Sequence, residues 1–90
     1  MPTNEQIDKV WKKAKPIRGE DPNKYRQDPY GNKIRRESYG KNSEMGWEID
    51  HIKPSAKGGS DNIRNLQALK TSVNRKKGDS LVKKSRHKQR

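Results

Sequence analysis

The chain has 90 residues, of which 24% are hydrophobic and 38% charged, so it can hold one small core at most and excludes a large multidomain architecture. A formal charge of +12 points to a polyanionic partner, and nucleic acid comes before an anionic membrane because no basic stretch carries a broad apolar face and no apolar run approaches a membrane span. Zero cysteines exclude disulfides and thiolate zinc, and two histidines exclude a closed structural zinc site, so any metal is held by oxygen ligands with at most one or two nitrogens.

Thr3 stands as the N-cap of a first helix, with Gln6 in the capping-box position. Ile7, Val10, Trp11 and Ala14 fall at i, i+3, i+4 and i+7 before Pro16 closes the pattern, which predicts an amphipathic helix over about residues 4–14. Its apolar stripe is expected to dock on the chain's own core, with a protein partner as the alternative. This helix organises residues 1–17.

Residues 18–46 read as a loop-rich basic region, with turns at Glu20-Asp21-Pro22 and Asp28-Pro29-Tyr30-Gly31. Tyr25 to Gln27 could pair loosely with Lys33 to Arg35 as a hairpin. Lys33, Arg35 and Arg36, flanked by Tyr30 and Tyr39, suit backbone phosphates and exposed bases, and suit equally well a solvated strand whose tyrosines cover a thin core.

Trp47 to Ile52 reads as a strand stopped by Pro54, and Ser55 to Asn62 as a surface loop carrying Gly58-Gly59. A second short strand is expected at Leu66 to Leu69, then a helix capped by Thr71 or Ser72, running through Val73 to Lys77 and ended by Gly78. Residues 79–90 form a basic tail in which Asp79 could cap a further short helix and His87 is not expected to be a ligand.

Hydrolysis of a phosphodiester needs a base for the attacking water and positive charge near the leaving oxygen. His51 is the imidazole of the folded part and suits the base. Asp50 offers an anionic oxygen and Asn74 an amide oxygen to a cation, while the Asn65 amide is suited to tying down the long loop before it. Neighbouring strand residues point to opposite faces, so Asp50 and His51 can serve one phosphate only where the strand bulges or ends.

Asp50-His51-Ile52-x-Pro54, Gly58-Gly59, Asn65-Leu66-Gln67-x-Leu69 and Asn74-x-x-Lys77-Gly78 together resemble the HNH endonucleases across residues 47–78. The resemblance implies an α+β chain built on a small ββα-metal finger, with the N-terminal helix and basic tail added to it. It implies that His51 activates water, Asn65 orders the loop, and Asp50 and Asn74 bind one divalent ion, magnesium or manganese first, with nickel or zinc as alternatives. Lys70 and Val73 stand where many relatives carry a cysteine pair, so the variant without a zinc ribbon is expected.

Arg35, Arg36, Lys53, Arg75, Lys76 and Lys77 are the expected backbone contacts, with DNA favoured over RNA. The resulting expectation is a metal-dependent DNA endonuclease in the cytoplasm. The alternatives are a non-catalytic nucleic-acid-binding module and an accessory subunit of a phage packaging or nuclease complex.

Overall fold

The computed structural model describes residues 2–77, so the Gly78 cap, the Asp79 helix and the basic tail with His87 lie outside the described residues. Helix α1 runs Asn4–Lys13, and Thr3 caps it by accepting a 3.0 Å bond from the Gln6 amide. Its stripe of Ile7, Val10 and Trp11 is buried, with Trp11 only 4% exposed. The stripe is thus spent on the chain's own core, which removes the surface that a partner docked on this face would need.

Three short strands follow: β1 (Lys15–Pro16), β2 (Tyr25–Gln27) and β3 (Lys33–Arg35) form an antiparallel sheet in that order. The loose hairpin suggested by the turn residues is fully formed, with Arg26 opposite Ile34. Asp28 explains its firmness. This carboxylate is 2% exposed, and Oδ1 accepts from the amides of Tyr30 and Asn32 at 2.9 Å, while Oδ2 accepts from Asn32 Nδ2 at 3.0 Å and from the Lys70 amide at 3.1 Å. One side chain both closes the hairpin turn and ties it to a strand 42 residues away.

Strands β4 (Trp47–His51) and β5 (Leu66–Lys70) form a separate antiparallel pair, and α2 (Thr71–Lys77) continues directly from β5. The register places Trp47, Ile49 and His51 beside Lys70, Ala68 and Leu66, and Glu48 and Asp50 beside Leu69 and Gln67. Cross-strand partners share a face, so the pairing sorts the side chains into two sets. The first set meets α1: Trp47, Leu66 and Ala68 join Ile7, Val10, Trp11 and Ile34 in one core. The second faces α2, where Asn74 reaches Glu48.

Trp47 is fully buried at the centre, with Trp11 at 5.3 Å between ring centroids and Tyr39 edge-on at 4.9 Å. Such ring pairs add roughly 0.5–1.5 kcal/mol each beyond area burial, which matters in a core with few aliphatic residues. Polar ties hold α1 down from outside. Lys13 donates to the carbonyls of Ile63 and Leu66, and its partial burial lowers its pKa. Arg36 lies over the Trp47 ring and bonds Asp8 at 2.6 Å, which holds the Asp8 carboxyl below the usual range.

Asp28→Ala strands four donors, three on Tyr30 and Asn32 in the hairpin turn and the fourth the Lys70 amide on β5, and should lower stability by about 2 kcal/mol or more in urea unfolding. For Asp8, folding depresses the pKa, so the Arg36 pair stabilises above the ordinary carboxylate range and loses its contribution as pH falls through the folded-state value. The melting temperatures of the parent and Asp8→Asn should therefore differ near neutral pH and converge as pH falls below the ordinary carboxylate range.

Candidate active site

The site is built where β4 ends. His51 occupies the last position of that strand, and the following chain turns through Pro54 into a 3-10 turn at Ser55–Lys57. Gly58 takes a left-handed φ of 90°, so that the loop doubles back and the Gly59 amide reaches the Pro54 carbonyl at 2.9 Å. At Gly59 a Cβ would overlap the Lys53 carbonyl oxygen and crowd Asn65 Nδ2.

Asn65 closes this loop with its whole amide. Oδ1 accepts from the Lys53 amide at 2.8 Å, and Nδ2 donates to the carbonyls of Lys53 at 3.1 Å and Ser60 at 2.7 Å. Its own carbonyl accepts from the Ile52 amide at 2.7 Å, extending the β4–β5 ladder by one more bond. One residue therefore joins both ends of the loop to the strand pair.

A hollow of about 430 Å³ opens beside β4, lined by Tyr39, Glu48, Ile49, His51, Asp61 and Asn74 among others. Glu48 and His51 belong to opposite faces of the strand, so the hollow reaches around it and gathers side chains from both. His51 is 31% exposed at its side chain, and its Nε2 lies 2.6 Å from Asp61 Oδ1. Asn74, on α2, donates from Nδ2 to Glu48 Oε1 at 2.9 Å. A carboxylate only accepts, so this bond fixes the amide's orientation and leaves Oδ1 as the acceptor end.

The expected site residues are therefore brought together in part. His51 and Asn74 line one hollow, and Asn65 holds the loop that passes it. Asp50 is only 6% exposed and accepts from Gln67 Nε2 at 2.8 Å on the face that α2 covers. Glu48 and Asp61 were not singled out in the sequence. For Glu48 the available signal was strand alternation, which puts it on the same face as Asp50; for Asp61, ten residues beyond His51, only the loop's path brings it near.

The expected basic contacts are spread unevenly. Arg75 is 57% exposed at its side chain and pairs with Glu48 at 3.1 Å, next to Asn74. Lys53 and Lys76 are exposed, and Arg35 pairs with Glu37 at 3.3 Å. Arg36 is occupied by Asp8 and Trp47, and the Lys77 side chain lies outside what is described.

The donors fit a hard divalent ion in chemistry: carboxylates and an amide oxygen, with imidazole as the only nitrogen ligand type. Among the described residues no three His, Asp or Glu groups sit together as a ready cage. A cation here would retain several waters, as magnesium usually does.

The unit β4–loop–β5–α2, with a histidine at the first strand's end and an asparagine on the helix, defines a ββα finger of the nuclease type. A family model described as HNH endonuclease matches residues 33–80, more than half the chain, and the protein belongs to the HNH endonuclease family. No curated protein matches the chain, and no solved structure does.

The loop geometry sets an order of costs. Gly59→Ala has to displace a backbone carbonyl and disturb the Asn65 amide, whereas Gly58→Ala meets only the flexible end of Lys53 at an ordinary contact distance of 3.9 Å and costs about 1 kcal/mol of left-handed strain. Urea unfolding of the two variants should show Gly59→Ala as the less stable; the reverse order would contradict this account of the loop.

Proposed function

We propose that the protein is a metal-dependent endonuclease that hydrolyses DNA phosphodiester bonds, with His51 as general base. The observation that carries this reading is the hollow at the end of β4, lined by both His51 and Asn74, on a ββα unit of the HNH endonuclease family.

His51 takes a proton from water as the water oxygen bonds to phosphorus and the bond from phosphorus to the 3′ oxygen breaks. Asp50 and Asn74 are the residues that would hold the divalent ion. When bound, that ion supplies positive charge to the phosphate and the leaving oxygen. Arg75 and Lys76, exposed on the helix that carries Asn74, hold the neighbouring backbone phosphates by charge and so position the strand without reading its bases. The high positive charge of the chain supports a polyanionic substrate.

Plasmid nicking with magnesium, manganese or nickel, beside an EDTA control, tests the reading. His51→Ala should lose roughly 10²–10⁴ in rate, the scale of a lost general base, while its shift of DNA in a low-salt gel is retained. A variant that cuts at the parent rate would remove His51 from the reaction, and a parent that binds DNA yet never cuts with any of these metals would favour a binding module.

A further inference from the structure

The backbone pairing of β4 sets where His51 sits, and its ring meets the loop that follows. Nε2 lies 2.6 Å from Asp61 Oδ1, although the Asp61 side chain is 84% exposed. Burial has not driven this carboxylate to the histidine. Its backbone is fixed on both sides instead: the Ser60 carbonyl accepts from Asn65 Nδ2 at 2.7 Å, and the Asn62 carbonyl accepts from the Asn65 amide at 2.7 Å. Asn62 Oδ1 also accepts from the Arg64 amide at 2.9 Å, closing a 3-10 turn. A continuous path thus runs from Asn65 through Ser60 and Asp61 to the imidazole.

We propose that Asp61 is a positioning residue, accepting a hydrogen bond from His51 Nε2–H, and that the Asn65 clamp acts on His51 through this contact. A carboxylate accepts and does not donate, so the nitrogen facing it carries the proton. A neutral imidazole with its proton on Nε2 has its basic lone pair on Nδ1, which is the atom that then takes the proton from water. Asp61 itself gains no proton in this step. The pair is exposed, so its Coulomb energy is screened, and fixing the tautomer and ring direction is the larger part of its effect. The kinetic half of this inference rests on the nuclease reading; the orientation of the ring does not.

Long-range ¹H–¹⁵N spectra of the imidazoles in the full chain test the orientation, with the His51 signals assigned by their loss in His51→Ala. The parent should show His51 as the Nε2–H tautomer, Asp61→Ala should show a tautomer mixture, and Asp61→Glu, which keeps an acceptor-only group, should restore the parent pattern. In plasmid nicking, Asp61→Ala should lower kcat by roughly ten- to a hundredfold, the scale of removing the partner that orients a functional histidine, with part of the loss recovered in Asp61→Glu. DNA affinity should hold or tighten, because a negative charge leaves the side of a polyanion. An unchanged tautomer in Asp61→Ala, or a raised KM at parent kcat, would overturn the proposal. A chain that never cuts DNA yet gives the expected spectra sinks the nuclease reading and supports the positioning of His51 by Asp61.

Discussion

Every part of the described chain is arranged around the antiparallel pairing of Trp47–His51 with Leu66–Lys70. Because side chains alternate along each strand, a single register decides which residues meet which helix. Trp47, Ile49, Leu66 and Ala68 go to the face that α1 covers, and Glu48, Asp50, Gln67 and Leu69 go to the face of α2. A slip by one residue would turn Trp47 out of the core and Glu48 into it. In a chain with so few apolar residues, Trp47 packed between Trp11 and Tyr39 makes that slip costly.

The core is thin, and buried polar atoms do much of the fastening. Asp28 joins the hairpin to β5, Lys13 joins α1 to the turn before β5, and the Thr71 hydroxyl donates to the Lys41 carbonyl at 2.9 Å where α2 begins. The Asp28 and Thr71 links place polar groups where water is excluded, so satisfying them decides the geometry more than the net energy. The same economy buries the hydrophobic stripe of α1, because a chain this small needs that stripe for its own core.

The site is set on the rigid end of this scaffold and completed by a loop. β4 and α2 bring His51 and Asn74 to the hollow, and the Asn65 amide carries the loop, with Asp61 on it, up to the imidazole. Glu48 holds both Asn74 and Arg75, so a helix residue suited to a cation and one suited to phosphate share a single carboxylate. This concentrates the charged groups on one side of the strand pair, in a chain whose overall charge already favours a polyanion.

Local pattern was enough for the elements that local physics dictates. The Thr3 cap and the stripe of Ile7, Val10 and Trp11 make α1; alternation and Pro54 bound β4; and the order of Asp50, His51, Gly58, Gly59, Asn65 and Asn74 carries the family, whose matched residues 33–80 contain all of them. Asn65 as a loop clamp was legible because an amide's donors and acceptor suit that task wherever a loop must be closed. What the residues alone left open was every relation that depends on two distant segments meeting. The firmness of the 25–35 hairpin rests on Asp28 reaching Lys70, the pairing of Arg36 rests on Asp8 from another element, and Asp61 reaches His51 only because the loop is folded back by Gly58, Gly59 and Asn65. Sequence fixes side-chain chemistry and short-range backbone preference; tertiary structure alone decides which face of β4 each carboxylate takes, because register and loop path are properties of the whole packed chain.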